Sequence, residues 1–213
     1  AIFAVAEAKA VTLYGLTESS HQLVRFDTNN PSDVTVVAQL SGLPPGLNVV
    51  GKLAWNPKTP NIIYGLGTQV GFGPYWLLEI DIHTGATNPI FIQQGFGMSG
   101  LEYVDNATVT GLVAARSRGV SNQEQDLYHL GFDGSMTLLV QTDIDNQSLA
   151  WDTKNAVLYS GGHPAFNNPG FVTLWTVDLT NGAQLALADF PGGPTDITYS
   201  SIDGNIYIVE PAG

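Results

Sequence analysis

Apolar and polar residues alternate over short runs along this chain, and each run ends in a turn signal. Gln22-Leu23-Val24-Arg25-Phe26-Asp27 is one such run. A period of two puts every second side chain on one face, the mark of a half-buried strand. Pro and Gly interrupt every longer window, so no stretch keeps a helical period. The strands come in phrases that repeat. Leu53-Ala54-Trp55-Asn56-Pro57, followed by Ile62-Ile63-Tyr64-Gly65-Leu66, returns as Leu149-Ala150-Trp151-Asp152 with Val157-Leu158-Tyr159-Ser160-Gly161. Leu101-Glu102-Tyr103-Val104 and Asp196-Ile197-Thr198-Tyr199 open two further copies, and Tyr14-Gly15-Leu16 matches the second half of the phrase. The aromatic positions 55, 103, 151 and 199 are each 48 residues apart. A constant period of this size is the signature of a repeat architecture.

A third-strand phrase repeats as well. Leu23-Val24-Arg25-Phe26-Asp27 returns as Leu77-Leu78-Glu79-Ile80-Asp81 and as Leu174-Trp175-Thr176-Val177-Asp178, and less regularly in residues 127–134. The Asp that closes the phrase is read as a turn builder: its short carboxylate caps the next backbone N–H groups, and the following Gly supplies a positive φ. Four strands, a to d, make one unit. The units fall near 1–47, 48–97, 98–145 and 146–192, and strands a and b of a fifth occupy 193–213. Residues 1–213 are therefore expected to form one all-β domain, a β-propeller of four-stranded antiparallel blades. Five blades with an incomplete last one are preferred, and four are possible. Trp55, Tyr103, Trp151 and Tyr199 should pack between blades.

Leu13-Tyr14-Gly15-Leu16-Thr17, Gln22-Leu23-Val24-Arg25-Phe26-Asp27 and Leu77-Leu78-Glu79-Ile80-Asp81 with Thr84-Gly85 carry a resemblance to uncharacterised secreted bacterial propeller-like repeat proteins. The match covers most of residues 11–90 well and the rest loosely. In size and repeat length the chain is also similar to small lectin propellers of the tachylectin type. No sugar-binding motif of that type carries over, so this likeness is architectural.

Composition narrows the partners. Charged residues make up 12 %, about half the share usual in globular domains. The net charge of −12 repels phosphate backbones and anionic membranes, which argues against nucleic acid. No apolar run approaches the ~20 residues that cross a bilayer, so no membrane insertion is expected. With no cysteine there are neither disulfides nor thiolate metal sites. The chain starts at Ala1 without a charged-plus-apolar leader, the pattern of a mature secreted protein. Asn106-Ala107-Thr108 and Asn146-Gln147-Ser148 are sequons, making Asn106 and Asn146 glycosylation candidates. An extracellular location is the expectation.

In a propeller the b–c and d–a connections leave one face, and variable loops on a repeating scaffold are where function concentrates. The b–c segments offer Phe72, Tyr75, Arg116, Arg118, His163, Phe166, Asn168 and Phe171 as ligand-binding candidates. Aromatic faces stack on sugars, and Asn and Arg bond hydroxyls. No Gly-x-Ser-x-Gly elbow and no His-x-His or His-Glu-x-x-His spacing occurs, so no catalytic residue is identified. Asp143-Ile144-Asp145-Asn146 with Asp152 is a local cluster of oxygens without the EF-hand pattern and is read as a solvated turn. No metal or cofactor is assigned. The reading is a secreted, non-enzymatic binding module for a glycan or another polar polymer. An extracellular carbohydrate hydrolase or lyase is one alternative, and a structural or matrix protein is another. The edge of the incomplete last blade should be covered by the N-terminal segment or by a second copy in a symmetric homodimer.

Overall fold

The computed structural model describes residues 11–17, 20–69, 75–92, 97–117, 125–163, 171–191 and 196–209. All regular structure in them is strand. The first sheet has three strands, β1 (Thr12–Leu16), β2 (Gln22–Asp27) and β3 (Asn30–Gln39). Three four-stranded sheets follow: β4 (Leu47–Trp55), β5 (Ile62–Gln69), β6 (Tyr75–Asp81) and β7 (Thr87–Ile92); β8 (Gly97–Asp105), β9 (Thr110–Ser117), β10 (Gln125–Leu130) and β11 (Met136–Thr142); β12 (Asp145–Asp152), β13 (Val157–His163), β14 (Phe171–Val177) and β15 (Gln184–Pro191). A hairpin of β16 (Asp196–Ser200) and β17 (Asn205–Val209) ends the series. Every pairing is antiparallel between chain neighbours, so each sheet is a meander. The result is an all-β propeller of four blades followed by a two-stranded sheet. The first ten residues, which include most of the N-terminal segment expected to cover the last blade's edge, lie outside the described residues.

The turn chemistry follows the sequence. In the c–d turns Asp27, Asp81, Asp133 and Asp178 accept the backbone N–H of Asn29, His83, Ser135 and Thr180 through Oδ1 at 2.7–3.0 Å. Gly85, Gly134 and Gly182 stand in these turns with φ of 70–82°. A second demand falls on the same glycines. A Cβ on Gly85, Gly134 or Gly182 would collide with the backbone oxygen of Gln39, Phe91 or Gln141, each on or directly before the end of the preceding blade's outer strand. Each c–d turn therefore seats on the blade before it. Ser41 and Gly85–Thr87 also exchange backbone hydrogen bonds there.

Blades bury their faces against each other. One core cluster holds Leu23, Leu40, Leu47, Ile63, Leu78 and Ile80, between the first and second sheets. The next holds Tyr64, Leu77, Tyr103, Leu112 and Leu130, and the third holds Val104, Val109, Leu127, Val140, Leu149 and Trp151. A smaller cluster of Ala150, Leu174 and Ile197, with Tyr199, Ile206 and Ile208 packed on it, joins the fourth sheet to the hairpin. Tyr103 and Trp151 thus pack between blades as the period predicts, each 5 % exposed. Trp55 does not: it is 51 % exposed and donates its indole N–H to Pro60 O. Trp151 is covered by Val104 and Val109 of the preceding blade. Before Trp55, the equivalent positions fall at the start of the chain, outside the described residues.

Candidate functional site

The loop-bearing end of the blades receives β5, β9 and β13 and sends out β6, β10 and β14. Phe72, Arg118, Phe166 and Asn168 lie outside the described residues. His163 closes β13 and Phe171 opens β14, their backbones paired with Asp145 and Pro191. Tyr75 corrects the loop assignment. Strand β6 begins at this residue, so strand alternation turns its side chain into the core, where it is 9 % exposed. Arg116 is likewise a strand residue. Its Nη1 donates to Tyr128 Oη at 3.1 Å and stands 3.7 Å from Asp126 Oδ2, and Tyr128 Oη donates to the same oxygen at 3.1 Å. The guanidinium is thus held inside blade three by its own acid and phenol.

A second polar group lies where the inner strands converge, and the sequence reading missed it. Lys52 Nζ of β4 stands 3.8 Å from Asp196 Oδ1 of β16, joining the second sheet to the fifth across the ring. Glu102 of β8 accepts the N–H of Tyr103 at 2.7 Å and, from β12, the N–H of Trp151 at 3.3 Å. Three inner strands carry a bulge at nearly the same place, with Lys52, Ser99 and Gln147 as the extra residues. Lys52 takes φ 54°, a left-handed conformation that a bulge permits and that re-aims its ammonium toward the centre. Packed protein around the Glu102 carboxyl costs it hydration and pushes its pKa up to about 8, a rise to which the Asp196 charge adds and which the two N–H groups oppose. Asp196 is also raised, first by lost hydration, with Lys52 pulling the other way. Glu102 therefore holds its proton at neutral pH, in electrostatic reach of the Asp196 carboxyl. Lys52 and Asp196 occupy the same place in the 48-residue period, with Gly100 and Ser148 between them. A charge at a place otherwise held by small residues was the signal available in the sequence.

The Asp143–Asn146 segment is not a solvated turn. Ile144, Asp145 and Asn146 are buried as β12 begins. Asn146 is 0 % exposed; its Nδ2 donates to Thr142 Oγ1 at 2.6 Å, and its Oδ1 accepts from Ser160 Oγ at 2.7 Å. In the folded chain that amide is enclosed within the blade. Asn106 keeps partial exposure and uses Oδ1 to cap the N–H groups of Thr108 and Val109. Asp152 caps Lys154 and Asn155 in the same manner. On this opposite end of the blades, a groove of about 610 Å³ runs between blades three and four, lined by Asn106, Thr108, Trp151, Val157, Leu179 and Leu185 among others. Trp151 forms part of its wall while remaining almost wholly buried, so it offers an apolar floor and not a stacking face.

No protein-family model and no curated protein matches the chain. Among solved structures the chain is similar to a crystal structure of a protein from Lactobacillus plantarum, at 14 % identity and a TM-score of 0.41. The match covers 95 % of this chain and 66 % of that one, so the chain spans just under two thirds of the neighbour's length.

Proposed function

We propose that this propeller is a secreted, non-enzymatic binding module that takes a glycan or another polar polymer through the loops on one face. One observation carries the reading. The three complete blades send their b–c connections out at the same end, each anchored in a buried strand pair such as Leu66–Leu77 or Ala115–Leu127. That arrangement sets variable loops on a rigid base, and the loops hold Phe72, Arg118, Phe166 and Asn168, the residue types that stack on sugars and bond hydroxyls. The extracellular setting belongs to the same proposal.

The neutral Glu102 near Asp196 favours a second reading, a carbohydrate hydrolase or lyase working from the centre of the ring. A carboxyl that keeps its proton at pH 7 is suited to general acid catalysis. One experiment separates the two. The intact chain is applied to an array of immobilised glycans and polar polymers, and the same polymers are incubated with it and examined for cleavage. Binding that weakens in Phe166→Ala and Arg118→Ala, with an unchanged melting temperature and no cleavage, is the expected outcome. Cleavage lost in Glu102→Gln would move the assignment to the enzyme. Absence of both binding and cleavage would remove the two together.

A further inference from the structure

At the start of β12 one side of the strand is saturated with hydrogen bonds and the other is not. Asn146, packed toward blade three, has both its amide atoms engaged, and its backbone oxygen accepts from Ser99 Oγ at 2.5 Å. Its neighbours differ. Asp145 Oδ1, Gln147 Oε1 and Ser148 Oγ are buried without a hydrogen-bond partner. Asp145 is 8 % exposed and Ser148 is fully buried. The orientation of the Gln147 amide is fixed, because its Nε2 donates to Asp145 Oδ2 at 2.7 Å, and a flipped amide would set oxygen against carboxylate. Gln147 Oε1 is therefore a true acceptor, as is Asp145 Oδ1. Ser148 lies on the side of β12 that faces the hairpin, since a Cβ on Gly161 would meet both Ser148 Oγ and Ile197 Cγ2.

Buried polar atoms are nearly always satisfied, so three neighbouring orphans call for an explanation, a bound water or ion among them. Here two of the three accept only, and one belongs to a carboxylate. A bound cation would be a partner to all three oxygens at once, and carboxylate and amide oxygens are the ligands such an ion takes. Lys52, at the place in the 48-residue period that Ser148 holds in this blade, is paired with Asp196. We infer that Asp145, Gln147 and Ser148 form part of a site for a single hard, oxygen-seeking cation of the calcium type, set where β12 bulges beside the hairpin. No group of three or more acidic or histidine side chains converges among the described residues, so the site has low charge. Affinity falls as the number of charged ligands falls, which places this site in the weak range of about 10⁻⁴–10⁻³ M, as in extracellular modules.

The test uses the intact chain stripped with a chelator and titrated with calcium while the melting temperature and the binding heat are followed. A saturable rise with half-effect at about 10⁻⁴–10⁻³ M is expected. Asp145→Asn keeps the shape, removes the charge and should weaken the half-effect about tenfold or more. Asp143→Asn, an exposed neighbour outside the site, should leave it unchanged. Should Asp145→Asn fail to fold, Gln147→Leu removes one acceptor without altering charge and should weaken calcium as well. No response to calcium, or equal responses in wild type and the site variants, would show that these oxygens hold ordered water and would overturn the proposal.

Discussion

Glu102 accepts two backbone N–H groups and still keeps its proton to about pH 8. The stability consequence has a definite sign. Between the ordinary value of 4.5 and about 8, the unfolded chain releases this proton and the folded chain does not. The folded state then binds more protons, so stability falls as pH rises through that window and levels off above it. Asp81, Asp133 and Asp178 act oppositely. Turn hydrogen bonds lower their pKa values, so they contribute stability above the ordinary carboxylate range and lose it as pH falls through their folded values. Glu102→Gln should therefore flatten the decline between pH 5 and 8. At pH 8 it should raise stability by about 2 kcal/mol, less than the full shift implies, because the residue keeps partial exposure. Urea melts at several pH values measure this, and a variant that declines as steeply as wild type would remove Glu102 as the cause. The turn aspartates were legible in the sequence because their chemistry is local: residue, turn and glycine are contiguous. Lys52, Glu102 and Asp196 were not, because three strands from three sheets bring them together. Asn146 shows the same limit, since a tripeptide carries no sign of burial.

The c–d turns pair two requirements in one glycine, and Gly134 and Gly204 separate them. Gly134 has φ 82°, and a Cβ there would overlap the Phe91 carbonyl oxygen of the preceding blade. Gly204 has φ 74°, and a Cβ there meets nothing within 4 Å. An Ala at either position pays the left-handed penalty of about 1–2 kcal/mol. At Gly134 the overlap should add to it, for a total of roughly 2–4 kcal/mol. Gly134→Ala should thus lower the urea midpoint clearly more than Gly204→Ala. Equal losses would mean that the blades do not seat through these turns. Strands and turns were read correctly wherever alternation met a Gly or Asp signal, as in β6 followed by Asp81 and Gly85. Loop limits were read less well. Tyr75 falls at the end of a b–c segment by sequence, but β6 takes it from its first position and buries it. Arg116 falls in a b–c segment by sequence, but β9 continues through it and its Nη1 meets Asp126 and Tyr128 inside the sheet.

The 48-residue period made the whole architecture legible, because a sheet with two apolar faces needs a covering sheet on each side. Where the series ends, that logic predicts a weak point. The hairpin of β16 and β17 is two-stranded, and two strands alone are marginal in water. It is held to the fourth sheet by the small cluster around Ala150, Leu174 and Ile197 and to the second by the loose Lys52–Asp196 pair. The interior blades are bound on both faces, with Leu112, Val113, Leu127 and Leu130 fully buried. The hairpin should therefore open as a unit at a lower free energy than β8–β10 and β12–β13. Native-state hydrogen exchange at low denaturant can read this directly. Amides of the hairpin should exchange in one step with a shallow dependence on denaturant, while those of β9 and β10 exchange only with global unfolding. Calcium bound beside β12 would raise the protection of the hairpin selectively, because the inferred site faces it. Protection that rises with protein concentration instead would trace the cover to a second copy. If the hairpin amides exchange with the same free energy as β9, the ring closes through this hairpin as one cooperative body, and the two-stranded sheet is no weaker than the blades it follows.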